Sequence, residues 1–126
     1  YGIPVYDRVV LVENAASFED GYNAMKDLLL RKTPPTAVFA ATDVLAIGAM
    51  HAIKDAGLRI PEDIAVAGYD DIYAAAIVDP PLTTVRVDRE RIGKAAIVEL
   101  MKQIENPETP SRVVTISNEL VIRSST

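Results

Sequence analysis

Residues 65–72 read AVAGYDDI, a short apolar run that ends in two adjacent carboxylates, Asp70 and Asp71. A carboxylate accepts hydroxyl protons well, so the pair could hold a polyol. It could also contribute to a hard-cation shell, but no His or Glu cluster stands ready to complete one. The plainest alternative is a helix cap: Asp71 or its neighbour is expected to cap a short helix over 72–77, leaving Asp70 to face a crevice. Other chemistry is sparse. His51 is the single histidine, and it falls on a helix, away from the strand ends. Serines stand at 17, 111, 117, 124 and 125, none in a G-x-S-x-G context. The sequence has no phosphate-cradling glycine loop and no cysteine, so disulfides, thiolate metal sites and cysteine nucleophiles are excluded. The expectation is a binding module with no catalytic residue, metal or cofactor.

The elements that must position Asp70 alternate regularly. Val9–Val12 (VVLV), AVFAA at 37–41, IAVAGY at 64–69 and LTTVRV at 82–87 are short apolar runs of strand length. Between them lie helical patterns with start and stop signals. Ser17 and Asp20 resemble a capping box ahead of Phe18, Met25, Leu28 and Leu29, and Pro34-Pro35 bars continuation. Thr42 or Asp43 caps a helix that runs to about Ala56 and stops at Gly57. An alanine-rich turn around 72–77 ends before Pro80-Pro81. Asp88 caps a long helix through Ile104, ended by Asn106-Pro107. RVVTI and ELVIR close the chain as one interrupted strand or two short ones.

Strands alternating with helices at this spacing predict βαβ units and an α/β fold with a parallel sheet. Right-handed crossovers leave the strands pointing one way, and ligands of open α/β sheets bind outside their C-terminal ends. Topology therefore predicts one edge that gathers Asn14-Ala15-Ala16, Thr42-Asp43 and Asp70-Asp71.

The second helix carries more apolar surface than one packed face requires. Leu45, Ala49, Ala52, Ile53 and Ala56 make a stripe sufficient to cover a sheet, while Val44, Ile47 and Met50, with His51 beside them, make another. The surplus points to burial against a second subunit or domain, although small apolar residues are also tolerated on an exposed face.

Length and charge bound the rest. The 126 residues suffice for one domain with a core, and 13 basic against 18 acidic residues give a net charge of −5. An acidic chain does not by itself wrap a phosphate backbone. No apolar run approaches a membrane span, and no signal peptide is visible. The opening at Tyr1, without an initiator methionine, is expected of a piece of a longer protein.

PTAVFAATDVLAIGAMHAIKDAGLRIPEDIAVAGYDDI, followed by PPLTTVRVD, an I-G-K helix and the closing ELVIRSST, resembles the effector-binding core of the lactose/galactose-repressor (LacI/GalR) family of transcription regulators. The similarity covers essentially the whole chain. It implies a periplasmic-binding-protein-like, Rossmann-like parallel sheet with flanking helices, part of a two-subdomain core with a small molecule between the subdomains. It also implies a helix-turn-helix headpiece that this chain does not contain, a homodimer on operator DNA bound through that headpiece, a cytoplasmic location and no membrane association. Residues 1–81 would form the C-terminal subdomain, 82–110 a crossover strand and helix of the N-terminal subdomain, and 111–126 the return. The helix near 89–104 should then contact another chain or lie unusually exposed.

Carried over residue by residue, the resemblance makes Asp70 the effector-binding carboxylate. Thr42, beside Asp43, falls where the family often has Asn as a ligand contact. Ala16 stands where many members place a stacking aromatic, a role Phe18 could take instead. Arg89 lies where the other subdomain can reach the crevice, unless it is simply a solvated arginine at a helix start. Val44, Ile47, Met50, His51, Ile77 and Val78 fall in the regions through which the family dimerises. The effector is expected to be a sugar or sugar derivative. The competing reading is a periplasmic sugar-binding protein of a transporter, which shares the fold, and an enzyme is a distant third.

Overall fold

The computed structural model describes residue 10 and residues 17–126. The strand expected over 9–12 and the candidate Ala16 lie outside the described residues, save Val10, which carries no strand. The described order is α1 (Phe18–Leu29), β1 (Ala37–Phe39), α2 (Asp43–Asp55), β2 (Ala65–Asp70), α3 (Tyr73–Ile77), β3 (Thr83–Arg86), α4 (Arg89–Glu105) and β4 (Glu119–Val121).

Local chemistry starts these helices where the residues say it should. At α1, Ser17 Oγ accepts from the Asp20 N–H and the Asp20 carboxylate accepts from the Ser17 N–H, a reciprocal capping box. Thr42 Oγ1 accepts from the Leu45 N–H to start α2. Asp88 Oδ1 accepts from the Arg91 N–H to start α4. Gly57, at φ 76°, follows α2 in the left-handed region.

The four strands lie in the order β1-β2-β3-β4. The first three are parallel, with Ala67 opposite Thr83 and Asp70 opposite Arg86, and β4 joins antiparallel to β3. α2 lies against β2, and α1 against α2. The two helices approach so closely that a Cβ at Gly21 would strike the Leu45 backbone, and one at Gly48 the Phe18 carbonyl. The core is Met25, Ala46, Ala49, Met50, Ala52, Ile53, Ile60, Ile64, Val66, Ala75 and Leu82. Each large side chain there contributes roughly 1.5–3 kcal/mol by leaving water.

Two expectations change. The strand at 82–87, assigned to the crossover, instead sits inside this sheet as β3, flanked by β2 and β4; its Thr83 and Thr84 are buried and its backbone bonds are met there. The long helix does stand apart: α4 has no buried residue, and Ile97, Leu100 and Ile104 are each more than half exposed. RVVTI at 112–116 forms no strand. It is tied instead to α4, where Arg112 hydrogen bonds to Glu99 at 2.7 and 2.5 Å. Bonds from Arg112 first and Lys102 second hold the Glu99 carboxyl at about 2. Among the described residues, no helix is long and apolar enough to cross a membrane.

Candidate functional site

β2 ends at Asp70, and the chain there takes a backbone that side chains rarely adopt. Asp70 has φ 116° and Asp71 φ 50°. Aspartate tolerates the left-handed region better than most residues, but two in succession, the first well off the usual minimum, store strain. Such strain persists where the surroundings over-determine the backbone, and here they do.

Asp71 is not a cap. The residue that precedes α3 is Ile72, and it makes no side-chain cap bond. The Asp71 carboxylate, 9% exposed, instead accepts from Arg86 Nε and from Arg123 Nη2, each at 2.6 Å. Burial pushes its carboxyl upward, but the bonds and charge of Arg123 and Arg86 outweigh burial and hold it below the ordinary carboxylate range. Arg86 reaches on to Glu119 at 3.2 Å, so the ends of β2, β3 and β4 share one ionic cluster.

Asp43 is not on the crevice surface. It is fully buried and accepts from the Ile72 N–H at 2.8 Å and from the Thr84 hydroxyl at 2.5 Å. A buried carboxylate so engaged cannot also contact a ligand, which corrects the binding role expected of it. From 29 residues away it holds the N–H of Ile72, the residue before α3, where a cap from Asp71 or its neighbour was expected. Gly68 makes room for it, since a Cβ there would collide with Asp43 Oδ1.

Asp70 and Arg89 do come together. Arg89 Nη2 stands 3.4 Å from Asp70 Oδ1 and 3.4 Å from the Asp70 carbonyl oxygen, with side chains 32% and 62% exposed for the aspartate and the arginine. The pair is open to solvent, and its long distances leave both groups able to turn to a ligand. Thr42 is half-buried with its oxygen engaged as the α2 cap. Phe18 packs its ring against the edge of His51, 5.0 Å between centroids, and stacks beside Tyr22. His51 is thus a surface residue at the α1–α2 contact. Met50, offered as interface, is 2% exposed in the chain's own core, because α1 covers that side of α2. Among the described residues, no cluster of His, Cys, Asp or Glu could hold a metal ion.

Two open grooves lie nearby, and neither has Asp70 in its wall. One of about 490 Å³ runs from Tyr69 under α4 to Val114 and Asn118. One of about 370 Å³ lies between Arg86, Arg89, Ser117 and Glu119. The first is the space beneath a helix that packs on little; the strained and charged residues, not this volume, mark the site. The supporting residues Thr84, Arg86, Gly68 and Arg123 were not singled out from sequence. The one available signal was hydroxyl and guanidinium groups set inside apolar runs, TTVR and ELVIR.

Residues 2–126 match the family model of the periplasmic binding protein-like domain. The chain belongs to this family. Among its relatives, the HTH-type transcriptional repressor PurR of Pasteurella multocida is 45% identical over 107 residues, covering 85% of this chain and 32% of the repressor. The chain thus spans about a third of the length of the curated relatives it matches. A lac repressor dimer bound to operator and the anti-inducer ONPF is 34% identical with a TM-score of 0.80, covering 87% of this chain and 38% of that one. A LacI family transcriptional regulator from Enterococcus faecium with bound ribose is 30% identical with a TM-score of 0.80, covering 96% and 44%. These relatives of the periplasmic-binding-protein-like chain are transcriptional regulators, and the regulators are similar to it across sheet and helices alike.

Proposed function

We propose that this chain is the effector-sensing portion of a LacI-type DNA-binding transcription regulator, binding a sugar or similar small molecule, with Asp70 as its main polar anchor and Arg89 as a second contact. The observation that carries the reading is the Asp70–Asp71 turn: a strained, braced backbone at a strand's C-terminal end that presents one part-exposed carboxylate beside an exposed guanidinium. Its similarity to a ribose-bound regulator supports a sugar. The protein works without enzymatic chemistry, in the cytoplasm, and meets operator DNA through a headpiece outside this chain. Residues 17–87 and 119–126 form one lobe on this reading, and 88–118 belong with a second; β3 and β4 in one sheet and the exposure of α4 support that boundary.

Asp70→Ala tests it. Losing a charge-assisted hydrogen bond costs roughly 1.5–3 kcal/mol, so affinity for the sugar selected by a thermal-shift screen should fall by about one to two decades. Isothermal titration with unchanged affinity would sink the assignment.

The regulator acts as a homodimer through the side of α2 and α3 that bears Val44, Ile47, Ile77 and Val78. Asp43 ties the starts of these helices through the Ile72 N–H, and Lys54 ties their ends through Asp79. Ile77 is an apolar residue that is 64% exposed. In a two-fold contact a charge there opposes its own copy, so Ile77→Glu should yield a monomer by sedimentation, and a persisting dimer would count against this face.

A further inference from the structure

Asp43 and Thr84 have no route to a ligand, yet they are the two buried polar side chains nearest the Asp70–Asp71 turn. Both are fully buried. Thr84 Oγ1 donates to Asp43 Oδ1 at 2.5 Å and accepts from the Asp71 N–H at 3.4 Å. Asp43 Oδ2 accepts from the Ile72 N–H at 2.8 Å. The peptide groups on either side of Asp71 are therefore gripped from inside the protein by a two-residue relay that spans α2 and β3. No buried side-chain polar atom of the described residues lacks a partner, so the relay leaves no buried group unsatisfied.

A left-handed backbone at two consecutive aspartates is held only if something opposes its relaxation. Arg86 and the largely buried Arg123 grip the Asp71 side chain, but they hold its carboxylate, whereas the relay holds the backbone N–H groups on either side of it. The buried relay does not yield, because either member left alone is a buried polar group without a partner. From this we infer that Asp43 and Thr84 are positioning residues for the effector carboxylate: they lock the 70–72 backbone so that Asp70 faces the crevice before ligand arrives. This rests on the reading of Asp70 as the effector anchor. A preset carboxylate spares the ordering cost of binding, so loosening the relay should cost affinity without removing any ligand contact.

Thr84→Val keeps the shape and strand preference of the residue and removes both of its hydrogen bonds. Thr84→Ser keeps the hydroxyl. In the full chain, Thr84→Val should speed amide exchange at Asp71 and Ile72 by about tenfold or more, move Asp70 out of the left-handed region in a crystal structure, and weaken D-ribose binding by about tenfold. Thr84→Ser should restore all three. In an Asp70→Asn background the Thr84→Val penalty on affinity should vanish, because the relay acts through Asp70; a merely structural role would lower the melting temperature and leave the affinity of the folded protein unchanged. A folded Thr84→Val protein with the Asp70 torsion and the turn amides as in the parent overturns the inference, and so does a ribose affinity unchanged by it. If Thr84→Val does not fold, Asp43→Asn takes its place, with the same readings at Ile72. Should the parent bind no D-ribose, the sugar selected by the thermal-shift screen takes its place in the titration, and the exchange and torsion measurements decide the relay in either case.

Discussion

At the scale of single residues, neighbouring aspartates of the same type do different work because their surroundings differ. Asp70 is solvated and loosely paired, whereas Asp71 is nearly buried and held by two guanidinium groups. The difference has a pH signature. The Asp71 carboxyl lies lower in the folded protein than its ordinary value of 3.8. A group depressed in the folded state stabilises fully above its unfolded value, and that stabilisation is lost as pH falls through the folded value. The melting temperature of Asp71→Asn should therefore lie below that of the parent at about pH 6, and the gap should close as pH falls below about 4. A gap that is constant through that window would mean that the carboxylate charge contributes nothing there. Sequence reading placed Asp70 at the strand end, but it did not pair it with Arg89, and it expected Asp71 or its neighbour to cap α3. The N–H just before α3 is held instead by Asp43, a contact between α2 and the α3 start that no local spacing records.

Among the elements, start signals were legible because they are local. Ser17 with Asp20, Thr42 and Asp88 each act within three residues. Which face a helix buries was harder to see, since α2 is apolar on more than one side and Met50 turned inward beneath α1. Its two apolar stripes are shared between the sheet and α1. Two glycines distinguish a packed helix from an unpacked one. A Cβ at Gly48 would meet the Phe18 carbonyl and the Tyr22 nitrogen, both backbone atoms that cannot swing aside. Gly48→Ala should cost about 1–3 kcal/mol by overpacking. At Gly93 in α4 a Cβ would meet nothing within 4 Å, so Gly93→Ala should gain helix propensity of about 0.5–1 kcal/mol. Denaturant melts check the first and amide exchange along α4 the second. A neutral Gly48→Ala would show that α1 and α2 do not approach as closely as the structure has them.

For the molecule as a whole, stability is unevenly distributed. The core lies between α1, α2, β2 and the start of β3, and none of α4 enters it. The apolar face of Ile92, Ile97, Leu100, Met101 and Ile104 was visible in the sequence as helical spacing, and its exposure follows from the absence of a facing sheet among the described residues. β3 pairs with β2 and β4, although sequence reading set it apart from residues 1–81, because pairing partners are not written in a single strand. Regions with few buried contacts open at free energies well below that of global unfolding. In the 126-residue chain the amides of α4 should therefore exchange orders of magnitude faster than those of α2 around Ala49–Ile53, at a rate insensitive to Ile53→Ala. That core substitution costs roughly 2–5 kcal/mol and should accelerate the α2 amides instead. Hydrogen exchange followed by mass spectrometry or by NMR separates the two helices directly. Equal protection in α2 and α4, with both lost together on Ile53→Ala, would show that α4 folds as one unit with the core and that the division into two lobes near residue 87 is misplaced.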